Sequence, residues 1–173
     1  KPVLIAAPVT LLENWAEEYE KFFEKTVEIL PLHGDRLKEY KIKKKRSGRE
    51  YDGEPRILLN IKMIVKYEIV LTTYETVRDY QFSFGKINWG IVITDESQKI
   101  KTPGTLVTTA LKALKADFCI ACTATPVENS LVDLWCILDF AKPGILGSLK
   151  EFLRKYDYPL RKKTGDRDDL VNG

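Results

Sequence analysis

The sequence predicts an α/β fold built on a parallel sheet with helices on both faces. Three observations lead there. Short continuous apolar runs, such as residues 3–7 and 89–94, have the composition of strands covered on both sides. These runs alternate with stretches whose apolar residues recur at helical spacing, the pattern of strand–helix–strand units. The polar clusters of the chain follow the strand-like runs directly, where active sites gather in such sheets.

Taken in order, residues 3–7 form the first strand and a helix follows. Thr10 and Glu13 have the spacing of a capping box, and Leu12, Trp15, Ala16, Tyr19, Phe22 and Phe23 make one apolar face. Glu17 and Lys21 add an i,i+4 pair on the polar side. Residues 26–30 read as the next strand, and residues 57–64 are apolar but ambiguous. A strand is expected over 68–73, a short helix over 74–80, and a buried strand over 89–94 that runs into Asp95-Glu96. A helix over 105–115, a strand over 117–123 and a helix over 130–140 come next, the last with Ser130 as N-cap and with Leu131, Leu134, Trp135 and Leu138 on one face. An amphipathic stretch over 148–156 carries Leu149, Phe152 and Leu153.

A chain of 173 residues, 44% hydrophobic and 31% charged, suits one domain with a sizeable core and excludes a disordered class. No apolar run approaches the roughly 18–20 residues of a membrane span, so no membrane partner is expected. The N-terminal apolar run is too short for a secretory signal. The chain begins at Lys1 and its single Met is Met63, so a piece of a longer protein is expected. Three cysteines, an odd number, form no disulfide framework and suggest a reducing, intracellular setting. Cys119 and Cys122 make a lone C-x-x-C within a strand-like run. Three residues apart on a strand, their thiols face opposite ways, and both are expected to be small buried hydrophobes.

The total charge of +3 hides a concentration. Between residues 36 and 50, Arg36, Lys38, Lys41, Lys43, Lys44, Lys45, Arg46 and Arg49 oppose only Glu39 and Glu50. Such a block suits a phosphate-facing patch, with Lys43, Lys44, Lys45 and Arg46 as candidate phosphate contacts. For the local structure a solvated insertion is the favoured reading, because like charges repel and extend the chain, and poor order is expected around residues 41–53.

Four polar clusters carry the chemistry. Asp95-Glu96-Ser97-Gln98 follows a run of β-branched residues at a strand tip. Successive strand side chains point apart, so the two acids can take different tasks. Asp95 suits a hydrated Mg²⁺, and Glu96 suits a base accepting a proton from water that attacks a phosphoryl group. An acidic helix start stabilised by the macrodipole is the plainer alternative. Thr123-Ala124-Thr125-Pro126 ends another strand, with hydroxyls able to bond the acidic cluster or merely to shape a turn. Pro8-Val9-Thr10 and Thr72-Thr73-Tyr74 each end a strand and open a helix, which suits phosphate binding or simple capping.

Read in order, these segments resemble the Swi/Snf-type DNA-dependent ATPases of helicase superfamily two. Ala7-Pro8-x-x-Leu11-Leu12-x-Asn14-Trp15-x-x-Glu18 is similar to motif Ia of that family, and Leu71-Thr72-Thr73-Tyr74-Glu75 to motif Ib. Asp95-Glu96-Ser97-Gln98 with Lys99-Ile100-Lys101 is similar to motif II, the Walker B box. Thr123-Ala124-Thr125-Pro126-Val127-Glu128-Asn129, followed by Leu131, Asp133, Leu134 and Trp135, is similar to motif III. His33-Gly34 and Pro143-Gly144 with Gly147-Ser148 also fall where the family has similar residues.

The resemblance implies the first RecA-like motor lobe, N-terminally incomplete, over residues 1–157, with a basic insertion at about 38–54. Residues 158–173 would be a tail or linker towards a second RecA-like lobe. It implies a parent that couples Mg·ATP hydrolysis to movement on double-stranded DNA as a translocase or remodeller of protein–DNA complexes. Asp95 would hold Mg²⁺ through water, Glu96 would be the catalytic base, and Asp95, Glu96 and Gln98 would face the nucleotide. Gln98, Thr123 and Thr125 would couple that site to DNA, and Pro8, Thr10, Thr72 and Thr73 would touch DNA phosphates. The family's P-loop, G-x-x-x-x-G-K-[ST], does not occur in this sequence and would stand just before Lys1. The fragment alone is therefore expected to be inactive. The competing expectation is a catalytically inactive nucleic-acid-binding or protein-interaction module that uses residues 36–50.

Overall fold

The computed structural model describes residues 1–23, 27–44, 56–127 and 130–159. Strand β1 (Val3–Ala7) leads through a 3₁₀ turn (Val9–Leu11) into α1 (Leu12–Phe23). Next come β2 (Ile29–Pro31), α2 (Arg36–Glu39), β3 (Lys41–Lys44) and β4 (Arg56–Leu59). Helix α3 (Ile61–Ile64), β5 (Ile69–Thr73), α4 (Tyr74–Asp79) and α5 (Gln81–Phe84) follow. Strand β6 (Asn88–Thr94), a 3₁₀ turn (Ser97–Ile100), α6 (Leu106–Lys112) and β7 (Lys115–Ala121) complete the sheet region. Helix α7 (Leu131–Ala141) and α8 (Leu149–Phe152), which runs on as a π-type turn (Leu153–Asp157), close the described chain.

Five strands form one parallel sheet in the order β2-β5-β1-β6-β7, as the unbroken apolar runs require, and β3 and β4 form a separate antiparallel pair. Side-chain alternation splits the sheet into two faces. Leu4, Ala6, Val70 and Val92 enter the larger core with Val77 of α4, Leu111 of α6 and Phe140 of α7. Ile5, Ala7 and Leu71 turn the other way and meet Leu12, Trp15 and Ala16 of α1. Trp89 is fully buried, its indole N–H donating to the carbonyl of Phe84 at 3.1 Å.

Several expectations are corrected. Thr10 is no N-cap: it lies inside the 3₁₀ turn that Pro8 opens, and no side chain caps that turn. Phe22 is 66% exposed, one turn past Tyr19, whose ring does enter the core. The ambiguous stretch 57–64 divides into β4 and α3 at Asn60. Residues 41–44 are not an open loop but strand β3, with Lys41 opposite Leu59 and Lys44 opposite Arg56. Residues 45–54 of that expected insertion, including Lys45 and Arg46, lie outside the described residues, as do residues 160–173 of the tail. On α7 the deeply buried positions are Asp133, Cys136, Ile137 and Phe140, while Leu131, Leu134, Trp135 and Leu138 are half-buried. Ser130 makes no capping bond there. At α8, by contrast, Ser148 and Glu151 form a full capping box.

The run 118–122 is not a fully buried strand. Among the described residues, strand β7 is an edge of the sheet, and Phe118 and Ile120 are 70% and 42% exposed because they face the side where α1 packs over β1 and β5 rather than β7. Cys119 and Cys122 are free and half-buried, and burial pushes both thiols up. Among the described residues, no helix is long and apolar enough to cross a membrane.

Candidate active site

Parallel pairing in register brings four strand ends to one edge of the sheet. Ala7 lies beside Thr73, Ala6 beside Thr94, and Thr94 beside Ala121. Every polar cluster named from the sequence therefore emerges on the same rim. Backbone bonds tie the loops beyond it: the Asp95 amide donates to the Ala6 carbonyl at 2.9 Å, and the Ser97 amide to the Cys122 carbonyl at 2.8 Å.

Asp95 follows β6 and keeps its alternation, so its carboxylate lies on the face that α1 covers. One oxygen accepts the Glu96 amide at 2.9 Å and the other the Trp15 indole N–H at 2.9 Å. Glu96 breaks the strand. Its φ of 54° and ψ of 53° are left-handed, and it is the only non-glycine residue with positive φ among those described. Such a conformation costs of order 1–3 kcal/mol and is held by its surroundings. It turns the Glu96 side chain away from Asp95 and towards Gln98, whose amide donates to Glu96 Oε2 at 2.6 Å.

The chain of bonds continues. Thr123 Oγ1 donates to Gln98 Oε1 at 2.8 Å and accepts the Thr125 amide at 3.1 Å. Glu96, Gln98, Thr123 and Thr125 are thus linked, although this Thr125 bond is made by its backbone and the residue is exposed. Asp95 and Glu96 are half-buried. Beneath them Ser97, fully buried, shares a 2.8 Å hydroxyl–hydroxyl bond with Thr94.

The candidate DNA residues divide. Thr10 is exposed and Pro8 half-buried at the open rim. Thr72 is corrected: it is fully buried and its hydroxyl donates to the Leu32 carbonyl at 2.7 Å, so it presents no hydroxyl outward. Thr73 caps α4, accepting the Thr76 amide at 3.1 Å. Lys43 and Lys44 stand on β3.

Two aromatic residues at the site have no signature of that role in the sequence. Trp15 reads there as part of a helix face within the motif Ia-like segment, and Tyr74 as a helix start within the motif Ib-like segment, neither with a bond to Asp95. The Tyr74 hydroxyl donates to the Asp95 carbonyl at 2.6 Å, and burial followed by the Asp95 charge pushes its pKa well up, so it stays a protonated donor. No local pattern announces contacts that span 80 and 21 residues of chain.

Comparison with known proteins shows the family of the chain. The SNF2-related domain profile matches residues 1–172. The chain is 43% identical over 171 residues to the Zorya protein ZorD of Escherichia coli O139:H28, covering 95% of this chain and 15% of that protein. It is 34% identical over 178 residues to the mouse DNA excision repair protein ERCC-6-like 2, covering 100% of this chain and 10% of that protein. The chain thus spans a small fraction of the curated relatives it matches. Among solved structures, the Sulfolobus solfataricus SWI2/SNF2 ATPase core in complex with dsDNA matches with a TM-score of 0.71 and 35% identity, over 93% of this chain and 29% of that one. An uncharacterised ATP-dependent helicase of Mycoplasma pneumoniae is 33% identical over 98% of the chain and 14% of its own length. With the parallel sheet, the rim of strand-end loops and the family profile in agreement, the chain belongs to the SNF2-related domain family, as part of a RecA-like ATPase lobe of the Swi/Snf type.

Proposed function

We propose that this lobe serves a DNA-dependent ATPase that couples Mg·ATP hydrolysis to movement on double-stranded DNA. The observation that carries the reading is the rim itself. Asp95 and Glu96 stand beside each other with diverging side chains, and Glu96 is bonded through Gln98 to Thr123 on the neighbouring loop. Glu96 is the base that accepts a proton from the attacking water, and its bond to Gln98 fixes the carboxylate in the direction its backbone sets.

The donor chemistry at Asp95 fits a magnesium ion. Each of its oxygens accepts one neutral hydrogen bond and retains a further lone pair, so the bonds orient the carboxylate without cancelling its charge. Among the described residues, no group of three His, Cys, Asp or Glu converges to hold a metal. A cation here would be held by one carboxylate and by water, the arrangement Mg²⁺ favours. Bound there, Mg²⁺ would neutralise charge on the nucleotide phosphates. The phosphate-cradling P-loop and the second lobe belong, in this reading, to the longer protein.

Pro8, Thr10 and Thr73 would position DNA phosphates at the same rim, with Thr72 as internal support, and Lys43, Lys44, Lys45 and Arg46 would add charge-based affinity. The test is DNA-stimulated ATP turnover of the intact protein against Glu96→Gln. The variant should bind ATP and lose roughly 10²–10⁴ in rate. Binding of DNA without any turnover in the unaltered protein would favour a catalytically inactive binding module instead.

A further inference from the structure

We infer that Trp15 is a positioning residue for Asp95, holding the acid in its working orientation from the helix that follows the rim turn after β1. The inference rests on the ATPase reading above. Trp15 lies on α1 and packs against the same apolar cluster as Ile93, the residue two before Asp95 on that face. Its indole N–H donates to Asp95 Oδ2 at 2.9 Å while the Glu96 amide donates to Oδ1 at 2.9 Å. Two donors on opposite oxygens fix the carboxylate plane, which a single bond would leave free to rotate.

The chemistry of the donor matters. An indole N–H is a neutral donor with no acceptor capacity, so it orients the carboxylate without neutralising it. A lysine or arginine at the same place would form an ion pair and compete with a cation for the acid. The contact borders a cleft of about 240 Å³ lined by Leu11, Asn14, Trp15, Glu18 and Asp95. Through Leu11, that cleft adjoins the turn Val9–Leu11 on the rim. Partners that orient metal-binding side chains are typically worth 10–100-fold in metal affinity or activity, which sets the scale expected of Trp15.

The experiment uses the intact protein and Trp15→Phe, with a second variant in which 3-benzothienylalanine replaces Trp15 to keep the bicyclic ring without the N–H. Both should turn over ATP about 10–100-fold more slowly and need more Mg²⁺ for half-maximal rate. The Glu96 amide should exchange hydrogen several-fold faster, because the carboxylate that accepts it is no longer fixed. Exchange at the unaltered rate in the benzothienylalanine variant overturns the inference, since a purely packing role predicts that result. Faster exchange with unchanged turnover and Mg²⁺ requirement overturns it too, because the contact would then not serve the reaction. Absence of DNA-stimulated turnover in the unaltered protein would sink the ATPase reading alone, and the amide exchange would still decide whether Trp15 holds Asp95.

Discussion

Glu96 shows how one residue's backbone sets a site's chemistry. Adjacent acids on a regular strand already diverge, but the left-handed turn at Glu96 swings its side chain further, onto Gln98 and so towards Thr123. Thr123→Val keeps the shape of the side chain and removes the hydroxyl. Without the bond to Gln98, DNA should stimulate turnover about 10-fold less or worse, since small misplacements of catalytic groups cost up to about 10²-fold. DNA affinity should hold, and ATPase assays with and without duplex DNA check the split. Asp95, Glu96, Gln98 and Thr123 are legible in the sequence as strand-end candidates, because each lies in a short segment that ends a strand. Trp15 and Tyr74 are not, because their role emerges only when α1 and α4 are packed beside the tip of β6.

At the scale of elements, Thr72 at the end of β5 departs from the outward-facing role its pattern suggests. Thr72 satisfies a carbonyl of the adjacent loop and Thr73 caps α4, so the strand end is built as a scaffold for the helix start. The α7 face departs from expectation for a related reason. Periodicity finds an apolar stripe but cannot say which of two apolar stripes meets the sheet, and here the stripe holding Cys136, Ile137 and Phe140 does. The β3–β4 pair is likewise hidden, because a lysine-rich run reads as open chain until Leu59, buried opposite Lys41, anchors it. Neutralising Lys43, Lys44, Lys45 and Arg46 together should flatten the log–log salt dependence of duplex binding by about 0.9 for each phosphate they no longer neutralise. Titrations across salt concentration check this. An unchanged slope would leave the basic segment as a solvated surface.

Helices α6 and α7 are joined by a half-buried pair, Lys112 to Asp139 at 2.7 Å. Burial alone would raise the Asp139 pKa, but the Gly144 amide and the Lys112 ammonium reverse this and hold it below the usual carboxylate range. A depressed folded-state pKa contributes stability above the unfolded-state value and loses it as pH falls through the folded one. Asp139→Asn should therefore lower the thermal midpoint most near pH 6, with the difference from the unaltered protein narrowing below about pH 4. Melting curves over that range test it.

For the whole molecule, the sheet is what makes a site of scattered segments. Parallel strands pointing one way put residues 8–10, 73, 95–98 and 123–125 on a single rim, and the unbroken apolar runs of β1, β5 and β6 are enough to foretell that. The exposed face of β7 is beyond such reading, because an edge strand and a central one can have the same composition. On the proposed function, this rim is the hydrolytic part of a DNA-driven motor. The most direct test of that proposal is ATP turnover by the intact protein, with and without duplex DNA, set against Glu96→Gln at matched ATP binding. DNA-stimulated turnover should fall roughly 10²–10⁴-fold in the variant while ATP remains bound. Turnover in Glu96→Gln close to that of the unaltered protein would contradict it.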